Sequence, residues 1–240
     1  MLGPKRFSAL ADGTTLRTEN LCRVYRTGRE TVKALDDVSL RFYKGEIVSI
    51  YGASGSGKTT LLSILGGLDR PTSGRVFIEG IEVSSLDERQ LSAIRRRRVG
   101  FVFQNYNLVN ELTVLENVEL PLLFDGRPQQ ETEDRATKLL EQVNLDDKTK
   151  RRPYELSAGE QQRVATARAL ANEPAVVLMD EPTGNLDREN SSAVIALVRR
   201  LNQERGTTFV IATHDLEIAE HCSSEVLLKD GQICQASDKK

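Results

Sequence analysis

Gly52-Ala53-Ser54-Gly55-Ser56-Gly57-Lys58-Thr59, with Thr60 behind it, fits the spacing G-x-x-x-x-G-K-[ST] of a phosphate-binding loop. Ile47-Val48-Ser49-Ile50-Tyr51 before it reads as a buried strand, and Thr59 to Leu65 after it as a helix. A polyphosphate needs this order of parts. Glycines let backbone N–H groups wrap its oxygens without interference from Cβ atoms. The helix start then offers unsatisfied N–H groups and a positive dipole end to the anion. Lys58 is placed to reach the β- and γ-phosphates, and the Thr59 hydroxyl to ligate Mg²⁺. A chance match in a chain of ordinary composition is on the order of 1%, so the loop is expected to bind a nucleoside triphosphate.

The 240 residues can bury one core, or one core with a subdomain. With 33 basic and 35 acidic residues, no large net field draws the chain to nucleic acid, and no nucleic-acid partner is expected. No apolar run approaches the ~18 residues of a membrane span, and residues 1–14 carry Lys5 and Arg6 without a signal-like apolar core. These 14 residues read as a disordered start. Cys22, Cys222 and Cys234 lack metal-ligand spacing and read as reduced thiols of a cytoplasmic protein. Direct membrane insertion is not expected, so any work at a membrane must pass through partners.

Strand-like runs follow at Leu16 to Tyr25, Val38 to Phe42 and Ile47 to Tyr51, with turns at Gly28 and Lys44-Gly45. Tyr25 can stack on a purine base or simply pack within its strand. Beyond the loop helix come a strand at Arg75 to Glu79 and a helix at Asp87 to Arg96. That helix closes on Arg95-Arg96-Arg97-Arg98, either a contact for phosphates and lipid head groups or a solvated helix end suited to the dipole. Val99 to Phe103 reads as a strand ending at Gln104. Helical patterns at Val114 to Leu123 and Glu131 to Val143 predict an inserted helical subdomain. Ser157 with Glu160 forms a capping box, so a helix starts there. Strands at Ala175 to Met179 and Thr207 to Ala212 bracket a helix at Arg188 to Gln203. Thr213-His214-Asp215 then opens a short helix, and residues from Val226 to Ile233 end the pattern as a hairpin.

In an open α/β sheet, ligands sit beyond the carboxyl ends of the strands. The phosphate loop, Gln104, Asp180-Glu181 and His214 all fall there. Asp180 is expected to hold Mg²⁺, as an acid at the end of an apolar strand does in phosphoryl transfer. Successive strand side chains diverge, so Glu181 is free to polarise an attacking water. Gln104 can complete the metal shell or cap a loop. His214 can contact the γ-phosphate and orient Glu181 or the water, and His221 reads as structural.

The phosphate loop, Gln104, Leu156-Ser157-Ala158-Gly159-Glu160, Val176 to Glu181, Asp187 and His214 occur in the order of an ABC transporter ATPase subunit, which the chain resembles from about Leu16 to Ile233. The resemblance implies an α/β P-loop NTPase fold. Its parts are a RecA-like core sheet with helices on both faces, an N-terminal antiparallel β portion, and a helical subdomain inserted at about 105–160 of a single 15–240 domain. It implies ATP and Mg²⁺ as ligands and a head-to-tail homodimer, each ATP lying between one chain's phosphate loop and the other's signature helix.

Carried onto this sequence, nucleotide contacts fall on Tyr25, Gly52, Ser54, Gly55, Ser56, Gly57, Lys58, Thr59, Thr60 and Gln104, and across the dimer on Ser157, Gly159 and Asp187. Metal contacts fall on Thr59, Gln104 and Asp180, and catalysis on Glu181, His214, Lys58 and Gln104. The usual signature has Gly where Ala158 stands and Gln where Glu160 stands. Ala158 is expected to crowd the incoming phosphate and to forbid an easy positive φ.

Gly100 to Pro121 and Asp180 to Asp187 resemble the lipoprotein-release, macrolide-export and antimicrobial-peptide subgroup, whose partners are integral membrane permeases. This implies a cytoplasmic protein held peripherally at the inner membrane face. Tyr106, Leu108 and Leu112 are candidate permease contacts or core packing. Two other readings are a regulatory ABC ATPase of the cell-division kind and a chromosome-organising ATPase. The latter class interrupts the helical region with coiled coils or zinc modules, and this chain has neither.

Overall fold

The computed structural model describes residues 13–28 and 30–238. The disordered start expected over residues 1–14 lies outside the described residues for 1–12, while Thr14 is buried and opens the first strand. The first half contains β1 (Thr14–Thr27), β2 (Glu30–Val38), β3 (Arg41–Tyr43), β4 (Ile47–Tyr51), α1 (Lys58–Leu65), β5 (Ser73–Ile78) and β6 (Ile81–Glu82). It continues with α2 (Glu88–Arg98), β7 (Val99–Val102), α3 (Val114–Phe124) and α4 (Gln129–Gln142). Two 3-10 turns, Asp146–Lys148 and Pro153–Glu155, lead into α5 (Ala158–Ala169). Then come β8 (Val176–Asp180), α6 (Arg188–Arg205), β9 (Thr208–Thr213), α7 (Leu216–Glu220), β10 (Ser224–Lys229) and β11 (Gln232–Asp238).

The strands form two sheets. One is antiparallel, in the order β2-β1-β5-β6 with β3 also paired to β1. The other runs β11-β10-β4-β9-β8-β7, parallel throughout except for β11. Alternate residues of β8 serve different cores. Val176 and Leu178 pack with Leu61 and Ile64 of α1 and with the antiparallel sheet. Val177 and Met179 pack with Val164 of α5 and Val198 of α6. Each such side chain contributes roughly 1.5–3 kcal/mol on burial. A slip of one residue would exchange the two faces, so register is fixed and the strand ends stay in place.

The strand expected at Val38 to Phe42 is divided: Val38 ends β2 and β3 begins at Arg41. Asp37, at φ 53°, turns the chain, and Leu40 exchanges bonds with Thr18 outside the ladder, Leu40 N–H to Thr18 Oγ1 and Thr18 N–H to Leu40 O, both 2.9 Å. Most of β2 had no signal in the sequence because it is a sheet edge, with Val32 55% exposed.

Between β7 and α5 the chain is helical. Val118, Leu122, Leu139 and Leu140 of α3 and α4 share a core with Val164 of α5. Tyr106 is buried in that core at φ 59°, so its ring serves packing, and Leu108 packs against the same cluster. All four arginines at the end of α2 are tied within the protein. Arg95 donates to Gly67 O, Arg96 to Phe124 O at the end of α3, Arg97 pairs with Asp125 and Arg98 with Glu79. Arg96 and Arg97 link α2 to the end of α3, and Arg95 and Arg98 tie it to the segments after α1 and β5.

Candidate active site

The loop after β4 is built against two other parts of the chain. Gly57 caps α1 at φ 106°, and a Cβ there would lie 2.4 Å from Ala34 O of β2. A Cβ on Gly52 would lie 2.1 Å from Leu228 O of β10. Neither place admits a side chain. The β10–β11 turn, Asp230-Gly231, stitches the loop down: Gly231 N–H donates to Ser56 O (3.0 Å) and Asp36 N–H to Gly231 O (2.8 Å). Lys58 is 6% exposed, and its ammonium donates to Gly52 O (2.9 Å) and Ala53 O (3.1 Å). Ser56 Oγ is buried with no hydrogen-bond partner among the described residues. The loop is thus a closed cradle with an orphaned polar atom inside, as an anion site requires.

Parallel pairing in the order β4-β9-β8-β7 sets the ends of these strands side by side. The Thr59 hydroxyl at the start of α1 donates to Asp180 Oδ1 at 3.1 Å. Burial, the largest influence, raises Asp180 above the ordinary carboxylate value; the Thr59 bond opposes this, Glu181 adds to it, and Lys58 opposes it. Glu181 sits at φ 44°, its N–H bonded to Ala212 O of β9 (2.9 Å), and this left-handed turn at the strand end separates its side chain from that of Asp180. Glu181 Oε1 lies 3.6 Å from Lys58 Nζ, and Oε2 lies 2.9 Å from His214 Nδ1. Lys58, Thr59, Glu181 and His214 line a cavity of about 790 Å³ with Ala53, Ser54, Gly55, Gly57, Thr60 and Gln104, while Asp180 is tied to its wall through Thr59. Gln104 is fixed through its backbone, its carbonyl accepting from Asn185 Nδ2 at 3.0 Å. A second cavity of about 740 Å³ lies at the opposite ends of the strands, but its Arg97 and Arg98 are already paired with carboxylates.

The remaining residues singled out in the sequence stand apart from the cavity. Tyr25 pairs across the ladder with Val32, which does line it; the Tyr25 hydroxyl donates to Asp69 Oδ2 (2.7 Å) and the Arg23 guanidinium lies 4.4 Å from the ring centroid. Ser157 caps α5, its hydroxyl accepting from Glu160 N–H (3.3 Å) while Glu160 Oε2 accepts from Ser157 N–H (2.9 Å). Ala158 is already helical, so the feared positive φ is not required. A Cβ on Gly159 would lie 2.5 Å from Asn190 Oδ1, and Asp187, the cap of α6, accepts from both Asn190 nitrogens (2.8 and 2.9 Å). Val32, Lys33, Ala34 and the Asp230-Gly231 turn, which also border the cavity, carried no signal beyond that of a turn.

The family described as ABC transporter matches residues 35–184, from within β2 through the turn after Glu181. The chain belongs to the ABC transporter family. This ABC ATPase is 52% identical over 218 residues to the lipoprotein-releasing system ATP-binding protein LolD of Aquifex aeolicus, across 91% of this chain and 95% of that protein. It is 47% identical over 213 residues to the macrolide export ATP-binding/permease protein MacB of Rhodopirellula baltica, a match that takes in 88% of this chain and 31% of the larger protein. Among solved structures, the ATP-binding cassette MJ0796 of Methanocaldococcus jannaschii, a dimer in a post-hydrolysis state bound to ADP and Pi, superposes with a TM-score of 0.87. That structure is 42% identical and covers 94% of this chain and 99% of its own. The chain is an ATP-hydrolysing subunit of an ABC transporter, with the P-loop NTPase fold.

Proposed function

We propose that two copies of this chain close head to tail around two ATP molecules and that closure and hydrolysis drive a membrane permease. The Glu181–His214 pair, 2.9 Å apart beside Lys58, carries the hydrolytic assignment. Backbone N–H groups of the loop and the amino end of α1 take the phosphates, with Ser54, Gly55, Ser56 and Thr60 around them. Lys58 exchanges Glu181 for the β- and γ-oxygens. Glu181, released from the ammonium and still held by His214, accepts the proton of the attacking water. His214 stands between that carboxylate and the terminal phosphate. Tyr25 stacks on the base, a reading supported by its pairing with Val32 on the cavity wall.

The Thr59–Asp180 bond already sets two hard oxygen donors together, a set that fits Mg²⁺, with Gln104 as a third. Held there by Thr59, Asp180 and Gln104, Mg²⁺ would supply charge neutralisation for phosphoryl transfer. From the second subunit, Ser157 and the α5 start face the γ-phosphate and Asp187 lies along the contact.

Permease docking is assigned to a groove of about 270 Å³ between the core and the inserted helices. Phe101, Phe103, Pro121 and Arg168 line it, and the two phenylalanine rings stack with centroids 5.5 Å apart. No helix among the described residues is long and apolar enough to cross a membrane; in this reading the chain is held at the inner membrane face by a permease seated in that groove. The lipoprotein-releasing and macrolide-export relatives support cargo of lipoprotein or macrolide type, exported or extracted, with peptide as the third type that the sequence resemblance implies. The test is Glu181→Gln. It should bind ATP, lose about 10²–10⁴-fold in turnover and accumulate as a dimer with ATP; undiminished turnover would remove Glu181 from its role.

A further inference from the structure

The α5 amino end carries an ion pair that the usual signature would not need. Glu160, at the third helical position, closes the capping box with Ser157. A carboxylate there suits the helix, since it satisfies the Ser157 N–H and faces the positive dipole end. It does not suit an incoming anion. A terminal phosphate approaching the free N–H groups of Ala158 and Gly159, which precede the first intrahelical bond from Gln161 N–H to Ser157 O, meets the Glu160 charge at the same helix start. The other carboxylate oxygen, Oε1, is taken by the Lys148 ammonium. Lys148 ends the 3-10 turn after α4, and both side chains are largely shielded, at 32% and 18% exposure. The nearby Arg151 is otherwise engaged, its guanidinium pairing with Glu155.

We propose that Lys148 is a positioning residue for the nucleotide bound by the opposite subunit, neutralising Glu160 and holding it in the capping box so that the α5 start accepts a γ-phosphate. The inference rests on the head-to-tail reading above. It makes Lys148 and Glu160 a unit: without the glutamate charge, the lysine has nothing to offset.

The test is a double-mutant cycle in the full chain, read as the ATP concentration needed for dimerisation in a Glu181→Gln parent. ATP binding to the dilute monomer is measured alongside with a fluorescent ATP analogue. Lys148→Ala should raise the concentration needed for dimerisation on the order of tenfold, the scale of one unscreened like charge near a phosphate. Monomer binding should not change, and Lys148→Arg should keep most of the function. In a Glu160→Gln background, adding Lys148→Ala should change dimerisation less than twofold. A Lys148→Ala defect of equal size with and without the Glu160 carboxylate would overturn the proposal, because Lys148 would then serve only to pack the turn. Dimerisation unaffected by Lys148→Ala, with the parent dimerising normally, would overturn it too. If the parent binds ATP but never dimerises, the head-to-tail reading itself fails and takes this inference with it.

Discussion

Lys58 holds its ammonium against Gly52 O, Ala53 O and the Glu181 carboxylate, so the cation that should meet the phosphates already spans the loop and the residue assigned to activate water. Lys58→Ala should therefore weaken nucleotide binding by tenfold or more, on the scale of about 1.5–3 kcal/mol for a hydrogen bond to a charged group. Equilibrium binding of a fluorescent ATP analogue would check this, and unchanged affinity would contradict the loop assignment.

Glu160 offers a pH test. The Lys148 ammonium, above all other influences, holds it below its ordinary value of 4.5, with burial opposing. The folded value is therefore lower than the unfolded one. The stabilisation is complete above about pH 4.5 and is lost as pH falls through the folded value. Lys148→Met should destabilise the protein near neutral pH, and its difference from wild type should shrink in acid; urea unfolding across that range measures it. At this scale the sequence was legible where chemistry is local: the loop, Asp180-Glu181 and His214 each sit at a strand end that announces itself. The Lys148–Glu160 contact was not, since Lys148 is one of several cations in a polar turn without periodicity and its partner is set by how the turn folds onto α5.

At the scale of elements, α5 and α6 meet at Gly159 with no room to spare. Gly159→Ala should push Asn190 from its bonds with Asp187 and cost about 1–3 kcal/mol, seen in thermal or urea unfolding. Adding Asn190→Ala should recover part of that loss by clearing the oxygen; an additive double mutant would show that the clash is elsewhere. Gly57→Ala, at φ 106° and 2.4 Å from Ala34 O, should cost at least as much and weaken ATP binding as well. Buried strands such as β8 were legible as continuous apolar runs. The edge strand β2 was hidden because only Leu35 and Val38 of its apolar residues are fully buried, while Val32 faces the nucleotide cavity. Tyr106 was ambiguous for the opposite reason: its turn resembles a surface loop, yet the left-handed backbone drops the ring into the core.

For the whole molecule, the parallel sheet gathers the phosphate loop, Gln104, Glu181 and His214 at its carboxyl ends, while Ser157, Gly159 and Asp187 stand apart from the cavity of their own chain. A second copy is the simplest source of the other half. In the proposed assembly the groove beside Phe101 and Phe103 is where motion would pass to the permease. Phe103→Asp should lower copurification with a membrane permease while leaving ATP-driven dimerisation intact, and loss of both would mean the side chain supports the fold instead. The most direct measurement is a crystal structure grown with Mg²⁺ and a nonhydrolysable ATP analogue. The account predicts the hydroxyl of Ser157 of the partner subunit at hydrogen-bonding distance, about 2.6–3.2 Å, from the γ-phosphate held by Lys58. An analogue bound in the loop with Ser157 of the partner subunit remote from it would contradict the account.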